Sequence, residues 1–263
     1  MRLAVIGHVE WVDFVSLDRF PRQGEVSHAI EAFSRAGGGG SVAAAALAEL
    51  GAEVDFFTAL GRDPHGEAAV QALQDRGVTM HVAWRSEPTR RALTLLGDAG
   101  ERTIITIGDR LAPRGDDGLD WSSLANTAGI YFTAGDADAL AHGRRAQVLT
   151  ASPRAREVLT EGQLDAIIFS AHDSDETAWA ERARGHTRLL VATEGADGGR
   201  WWGASEGRWQ ATELPGEPKD AYGCGDSFAA GFTYGLAERQ PVDRAAVLGA
   251  ECGARALTRV GAP

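Results

Sequence analysis

Short apolar runs alternate with helical segments along most of the chain, and this alternation limits the possible folds more than any other feature. LAVIG begins the series, and AEVDFFTALG, GIYFTA, QVLTAS, DAIIFSA and RLLVATEG continue it. Between them, SVAAAALAELG predicts a helix ending at Gly51, and DPHGEAAVQALQDRG predicts one with Asp63 as its N-cap before Pro64. Apolar strands separated by helices are typical of a parallel sheet covered on both faces.

Two segments break this alternation. VDFVSL and SHAIEAFSRA alternate apolar with polar positions, and TRRALTLLGDAGERTIITIGDRLAP holds two apolar stretches joined by GDAGER. The latter pattern predicts a β-hairpin. The last portion, GDSFAAGFTYGLAE and DRAAVLGAECGARALTRVG, predicts two helices. The 263 residues therefore predict one mostly parallel α/β domain with an early β excursion.

The charge balance argues against nucleic acid or a membrane surface as a partner. The chain has 26 basic and 37 acidic residues, a formal charge of -11, and its arginines are scattered. The first apolar run ends at Gly7, too short for a signal segment or a membrane span. Cys224 and Cys252 provide neither a disulfide framework nor a four-cysteine zinc site. We therefore expect a cytoplasmic protein.

Lysine is almost missing, which limits how this chain can handle phosphate. Lys219 is the single lysine, and no G-x-x-x-x-G-K-[ST] motif occurs. A P-loop is thereby excluded. Any phosphate chemistry must use backbone amides, arginine or a metal.

The strongest local signal is KDAYGCGDSFAAGF, residues 219–232. Two glycines around one small residue let successive backbone N–H groups point at one spot, and a helix starting at about Asp226 adds its positive end. Such a cradle binds anions, and Asp226 could accept the proton of a substrate hydroxyl. The alternative is that Gly225 ends a turn and Asp226 is an ordinary N-cap.

Four features of the chain together resemble the ribokinase-like (PfkB) carbohydrate kinases. DAYGCGDSF resembles their D-T-x-G-A-G-D-x-F signature, GGGGSVAAAALAELG their N-terminal glycine segment, GERTIITIGD a lid strand, and TEGADGG their T-x-G-x-x-G nucleotide loop. The resemblance implies an α/β, ribokinase-like three-layer fold, with a central mostly parallel sheet flanked by helices. It further implies a single domain over residues 1–263, with a small β lid formed by about residues 10–36 and 88–107.

The same resemblance implies ATP-dependent phosphorylation of an alcohol group on a small sugar or sugar-like substrate, with Mg²⁺. Asp226 would be the base, and the amides of Gly223, Cys224 and Gly225 would hold the transferring phosphoryl group. Asp173-x-x-Glu176 stands in place of the N-x-x-E motif that organises Mg²⁺ through water. The residues expected beside the nucleotide are Thr193, Gly195, Gly198 and Asp220, of which Asp220 can also adjoin a monovalent cation.

Departures from the family pattern concern the acceptor. The sugar-contacting asparagine falls on Val42, which leaves Gly37 and Gly38 as the glycine pair. The family aspartate of the first strand falls on Val12, with Asp13 one place late and Glu10 two early. Gly37, Gly38 and Asp13 are the candidates for acceptor contacts. Because strand side chains alternate faces, only a bulge would bring Asp13 into the pocket.

Asp136, which follows GIYFTA, is a further acceptor candidate, because ligands of open parallel sheets bind beyond the carboxyl ends of strands. His8 and His172 also lie at strand ends. A homodimer through the lid is expected, since an exposed lid has apolar edges.

Two other functions remain open at this level. One is a catalytically weak sugar- or nucleoside-binding protein on the same fold, motivated by Val12 and Val42. The other is a dinucleotide enzyme, because Gly38-x-Gly40-x-x-Ala43 matches the Rossmann fingerprint; its context is unfavourable, since the fingerprint should directly follow the first strand.

Overall fold

A nine-stranded sheet and a separate four-stranded sheet make up the β structure of residues 1–97, 102–159 and 164–261, the part of the chain described by this computed structural model. In chain order the strands are β1 (Arg2–Ile6), β2 (Glu10–Ser16), β3 (Glu31–Gly37), β4 (Glu53–Gly61), β5 (Val78–Arg85), β6 (Arg91–Leu96), β7 (Arg102–Ile107), β8 (Gly129–Phe132), β9 (Val148–Ala151), β10 (Leu164–Ser170), β11 (Thr187–Thr193), β12 (Gly199–Gly203) and β13 (Gly207–Trp209). The α-helices are α1 (Gly39–Glu49), α2 (Pro64–Gln74), α3 (Ala137–Gly143), α4 (Ser174–Arg182), α5 (Cys224–Ala237) and α6 (Val242–Leu257).

The large sheet is parallel over most of its width. Its strand order is β13-β12-β11-β10-β9-β8-β1-β4-β5. Only the pairs β11–β12 and β12–β13 are antiparallel among these described strands. This is the predicted fold class, and the carboxyl ends of the parallel strands all reach the same edge.

Helices cover both faces of the large sheet, and β1 shows why its strands are apolar throughout. Leu3 and Val5 belong to one core cluster, and Ala4 and Ile6 belong to the other. The first cluster contains residues of α1, α2, α5 and α6, and the second contains residues of α3 and α4. Because successive side chains point to opposite faces, a strand between two helical layers buries all of them.

The four-stranded sheet, which we call the small sheet, has the strand order β3-β2-β6-β7. β2 runs parallel to β6, and the other two pairs are antiparallel. Its strands fall within the two segments for which the sequence predicts a lid. The β6–β7 pair is the predicted hairpin; its connection, residues 98–101, lies outside the described residues. No helix in the described part is long and apolar enough to cross a membrane.

Candidate active site

Asp226 lies in the first turn of α5 and is nearly inaccessible to solvent, with 5% of its surface exposed. The helix begins at Cys224, two residues earlier than the start expected near Asp226, because Gly223 takes the N-cap position in the left-handed conformation (φ 73°). Asp226 is therefore not the N-cap, and its side chain can serve another purpose. Gly225 is inside the helix and does not end a turn.

Two donors hold one oxygen of the Asp226 carboxylate. Nη1 of Arg154 donates to Oδ1 over 2.5 Å, and the hydroxyl of Tyr131 donates to the same atom over 3.2 Å. The carboxylate is the largest influence on Arg154 and raises the pKa of its guanidinium. Burial raises the pKa of Tyr131, so this hydroxyl stays protonated and remains a donor. Oδ1 of Asp226 is thus held by two residues from distant parts of the chain.

The N-terminus of α5 offers amides to an anion. The Ser227 N–H donates to Gly223 O over 2.9 Å and closes the first turn of the helix. The N–H groups of the residues before Ser227 therefore make no regular helical hydrogen bond. A Cβ built at Gly225 would meet no heavy atom within 4 Å, which leaves open space in front of this residue. The Cys224 N–H makes a long bond of 3.4 Å to Ala221 O. Burial raises the pKa of the Cys224 thiol to about 11, so this sulfur is a packing group and not a nucleophile at neutral pH.

Gly39, the first residue of α1, is the glycine that contacts this carboxylate. A Cβ at Gly39 would lie 2.8 Å from Oδ1 of Asp226 and 3.0 Å from Nη1 of Arg154. The N-terminus of α1 therefore reaches the same point as the first turn of α5. The missing side chain at Gly39 is what allows the two helices to meet around Asp226.

The predicted glycine pair precedes this contact. A Cβ at Gly37 would lie 2.4 Å from the Tyr222 hydroxyl and 2.5 Å from Cγ2 of Val12, so side chains cover this residue. Gly38 (φ 85°) donates its N–H to the Tyr222 hydroxyl over 2.8 Å, and a Cβ there would lie 3.1 Å from His8. Because the run follows β3 of the small sheet and not β1, its match to the Rossmann fingerprint lacks the required context.

The register of β2 decides between Glu10 and Asp13. β2 pairs with β3 and β6 residue by residue without a bulge, so Glu10 and Val12 share the buried face. Asp13 is on the opposite face, where it accepts bonds from Ser34 Oγ (2.6 Å) and Arg91 Nη2 (2.7 Å). Asp13 therefore does not lie in the acceptor pocket as expected. Glu10 lies on the buried face of β2 instead, together with Val12.

Val12 and Val42 belong to one apolar cluster that also contains Phe14, Ala92 and Tyr222. All five side chains are buried. The resemblance led us to expect polar acceptor contacts at Val12 and Val42. Both valines instead pack in this apolar cluster, which includes the signature residue Tyr222. The one polar side-chain group among these five residues is the Tyr222 hydroxyl, which accepts the Gly38 N–H and keeps its own O–H as a donor.

Polar groups that sequence reasoning did not assign surround this cluster. His8 lies at the end of β1, with Nε2 3.8 Å from Oε1 of Glu10, and Arg90 Nε lies 3.1 Å from the same oxygen. Burial, and then the charges of three arginines, lowers the pKa of His8 well below its usual range, so it is neutral. Burial raises the pKa of Glu10, while Arg90 is the largest opposing influence. Arg110 donates through Nη1 to the Arg154 carbonyl over 3.3 Å.

The predicted nucleotide residues lie at the neighbouring ends of β10 and β11. Thr193 ends β11 and donates from Oγ1 to the Phe169 carbonyl over 3.3 Å. Gly195 and Gly198 have positive φ angles of 59° and 83° in the loop that follows. A Cβ on Gly195 would lie 3.3 Å from the ring of His172, so the β10 and β11 loops face each other.

Asp173 and Glu176 begin α4 in the β10 loop. Asp173 is the N-cap and accepts the amides of Asp175 and Glu176 through Oδ1. Glu176 accepts the Ser170 N–H through Oε2 (3.0 Å). Its charge also raises the pKa of Arg154, the partner of Asp226. Within the described residues no group of three or more acidic, histidine or cysteine side chains could enclose a metal. One or two carboxylates fit Mg²⁺ that is held mainly by water and substrate phosphates.

Asp220 and Asp136 have structural partners. Asp220 is buried and accepts the Tyr222 and Gly261 amides, over 2.9 and 3.0 Å. Asp136 caps α3 and accepts the amides of Ala139 and Gly115 through Oδ1. The described hydrogen bonds of both carboxylates go to backbone amides, so both fasten loops near this sheet edge.

Arg154 is the most important residue that the sequence analysis missed. It follows β9, at the carboxyl end of a parallel strand, where ligands of such sheets bind. Its pairing with Asp226 spans 72 positions of the sequence. The scarcity of lysine was the one sequence signal, since it left backbone amides, arginine or a metal for any phosphate chemistry.

Comparisons with known proteins identify the family of this chain. The family model described as pfkB family carbohydrate kinase matches residues 1–159 and 160–263. An ATP-dependent ribose-1-phosphate kinase from Halopiger xanaduensis is 27% identical over 295 aligned positions, which cover 100% of this chain and 94% of that protein. An acarbose 7(IV)-phosphotransferase from an Actinoplanes species is 29% identical, with coverage of 85% and 81%. A ribokinase from Arabidopsis thaliana is 34% identical over 110 residues, only 40% of this chain and 29% of that protein.

Solved structures show the same fold. The structure of Arabidopsis thaliana ribokinase with ribose and ATP matches with a TM-score of 0.80 at 19% identity, covering 99% of this chain and 94% of that one. Ribokinase from Thermotoga maritima matches with a TM-score of 0.80 at 20% identity, covering 100% and 94%. The fold is therefore ribokinase-like, as the sequence predicted. With a family model that matches along its whole length, this chain belongs to the pfkB family of carbohydrate kinases.

Proposed function

We propose that the protein transfers the terminal phosphoryl group of ATP to an alcohol group of a small sugar or sugar-like molecule. Asp226 carries this proposal, because it is a buried carboxylate in the first turn of a helix that borders open space at Gly225. A base and an anion-binding helix end at one point are what attack of a hydroxyl on a phosphoryl group needs.

In the proposed reaction, the Asp226 carboxylate takes the proton of the acceptor hydroxyl. A bond forms between the acceptor oxygen and the γ-phosphorus, the bond from that phosphorus to the β–γ bridging oxygen breaks, and ADP leaves. The amides of Gly223, Cys224 and Gly225 stabilise the charge on the moving group. Arg154 is 39% exposed, and its guanidinium has donors besides the one given to Asp226, so it can contact the phosphoryl oxygens as well.

ATP is placed by the same proposal along the ends of β10 and β11, beside Thr193, Gly195 and Gly198. Mg²⁺ would accompany the phosphates and neutralise part of their charge when bound. Glu176, with Asp173 at the start of its helix, would orient water molecules of that ion. This assignment follows the preference of Mg²⁺ for few protein ligands.

The small sheet is proposed to act as a lid and as a dimer interface. It contributes Glu10 from β2, and Arg90 directly precedes β6, so both segments of the sheet reach the acceptor side. β7 is its edge strand and exposes Ile104, Ile105 and Ile107, an arrangement that invites pairing with a second copy. Sedimentation that finds only monomer at micromolar concentration would contradict the dimer.

Asp226→Asn tests the proposed base. The substitution keeps the size of the side chain and removes the proton acceptor, so turnover should fall by roughly two to four orders of magnitude while ATP affinity stays nearly constant. Asp13→Asn is the matched control, since Asp13 lies on the other face of β2. An Asp226→Asn variant as active as the parent would refute the base assignment.

A second candidate function is binding of a sugar or nucleoside without phosphoryl transfer. The observation that favours it is the buried apolar cluster at Val12 and Val42, where acceptor contacts were expected. Calorimetry combined with ATP turnover on the same ligands separates the two functions. Tight binding of a ligand that is never phosphorylated in the presence of ATP and Mg²⁺ supports the second.

A further inference from the structure

We propose that the acceptor carries an anionic group, a carboxylate or a phosphate, and that Arg90 and Arg110 bind it. This proposal rests on the proposed kinase function and specifies the class of its substrate. It follows from two observations: the positions expected to bind sugar hydroxyls are apolar, and the polar groups near them are mainly arginines.

The positions expected to recognise sugar hydroxyls are closed. Val12 and Val42 are buried in an apolar cluster, and the Tyr222 hydroxyl accepts the Gly38 N–H over 2.8 Å. The two valines offer no donors or acceptors, so a neutral polyol would find at most the Tyr222 O–H donor among these side chains. Recognition must come from the polar groups that remain.

Those remaining groups are mainly cationic. Arg90, Arg110 and Arg154 all act electrostatically on Glu10 and on His8, so the three guanidinium groups converge on one region. Arg154 is engaged with Asp226 over 2.5 Å. Among the described contacts, Arg110 and Arg90 do not contact Asp226 in this way, and Arg90 forms an ion pair with Glu10 over 3.1 Å.

Neither of these two arginines is fully satisfied. Arg110 is exposed and takes part in no ion pair among the described residues; its described bond is the one from Nη1 to a backbone carbonyl. Arg90 Nε is buried and lacks a hydrogen-bond partner in the described part of the chain, although Glu10 Oε1 lies 3.1 Å away. A planar guanidinium is the side chain that best matches a carboxylate or a phosphate.

His8 is an independent sign of a ligand at this place. Only 5% of His8 is exposed, yet its Nδ1 has no hydrogen-bond partner within the described residues. Buried polar atoms in folded proteins are almost always paired, so an unpaired one beside a binding site is available to a ligand atom. Its neutral ring can accept or donate one bond without adding charge.

Acidic neighbours set the balance of charge. Glu10 and Glu157 attract Arg110, Asp226 raises the energy of charged Glu10, and Glu176 attracts Arg154. Glu176 is held by the Ser170 amide on the nucleotide side, and Glu157 is exposed. An anionic acceptor therefore meets a region where two arginines face one buried carboxylate, Glu10.

The test compares acids with their neutral parents. Gluconate with glucose, glycerate with glycerol, and ribose 5-phosphate with ribose are offered to the full-length protein with ATP and Mg²⁺, and kcat/KM is measured for each. We expect the anionic member of at least one pair to exceed its parent by about 100-fold or more, as expected for paired charge-assisted bonds. The carboxylate and phosphate pairs show which of the two groups fits.

The variants are Arg110→Gln and Arg90→Gln, with Arg91→Gln as the matched control, because Arg91 is next to Arg90 in sequence but pairs with Asp13 on the other face. Each of the first two should raise the KM for the anionic acceptor by roughly 10- to 100-fold, change kcat less, and leave the KM for ATP unchanged. Arg91→Gln should match the parent.

Two results would overturn the proposal. One is equal kcat/KM for acids and neutral parents, which leaves the kinase function intact. The other is a rise in the KM for the anionic acceptor in Arg91→Gln as large as that in Arg90→Gln. If no panel member is phosphorylated, the kinase proposal is affected, and calorimetry on the same pairs still decides: acids that bind in an Arg110-dependent way support the anion site, and the absence of such binding contradicts it.

Discussion

Replacing Gly39 by alanine should separate catalysis from stability in this protein. The added Cβ would lie 2.8 Å from Asp226 Oδ1 and 3.2 Å from its Cγ, inside the ordinary contact distance of 3.4 Å, so the carboxylate must retreat by about 0.6 Å. It has little room to do so, because Asp226 is buried and the Tyr131 hydroxyl holds the same oxygen. A displacement approaching 1 Å at a reacting group costs up to about 100-fold. We expect kcat to fall by roughly 10- to 100-fold.

The same substitution should cost the fold little. Gly39 is absent from the glycines with positive φ among the described residues, so alanine can adopt its backbone conformation without strain. Alanine also favours a helix over glycine by up to about 1 kcal/mol, which offsets part of the contact energy. The free energy of unfolding should therefore change by about 1 kcal/mol or less.

The assay measures ADP release for kcat and KM, and urea unfolding for stability. Gly118→Ala is the control, because its Cβ would meet no heavy atom within 4 Å and its φ is not positive. Activity within twofold of the parent in a stably folded Gly39→Ala variant would refute the reasoning. It would mean that the observed position of the Asp226 carboxylate is not the one used in the reaction.

Two further substitutions test the buried polar groups around the site. The native pKa of His8 is far below that of an unfolded histidine (about 6.5), so the unfolded chain binds the extra proton and stability falls as pH drops below that value. His8→Gln should remove about 2 kcal/mol of the stability loss between pH 7.5 and 5, measured by urea unfolding at both values; an identical pH dependence would contradict this. Tyr222→Phe should cost about 1 to 3 kcal/mol because the Gly38 N–H loses its acceptor, whereas Tyr234→Phe on a half-buried tyrosine should cost less.

Local patterns predicted much of the fold. The sequence predicted the apolar central strands, α1, and α2 with its Asp63 cap. Burial on both faces and helix capping depend on short stretches of sequence, so both can be predicted locally. β5, β12 and β13 were not found. β5 is the edge strand of the large sheet and mixes buried with half-exposed positions, and β12 and β13 are short and rich in glycine, arginine and tryptophan. Their strand character comes from pairing with neighbours, which a single segment does not encode.

The site divides in the same way. The signature predicted the position of Asp226, but the start of α5 was misplaced because only the left-handed conformation of Gly223 shows that it is the cap. Asp13 was the acceptor candidate, but the register of β2 places it on the opposite face, and only that register shows that Glu10 shares the buried face with Val12. Arg154 lies far from Asp226 in sequence and could not be paired with it before the sheet was assembled.

The departures at Val12 and Val42 have a physical connection that the sequence did not reveal. Together with Tyr222 the two valines close into one buried apolar cluster, and the tyrosine hydroxyl satisfies the Gly38 amide. Because the cluster does not include Asp226 or its partner Arg154, we expect on the proposed function that the two changes alter which acceptor is selected and leave the proposed phosphoryl-transfer groups in place. A loss of catalytic function would instead have no reason to retain a buried carboxylate between two donors.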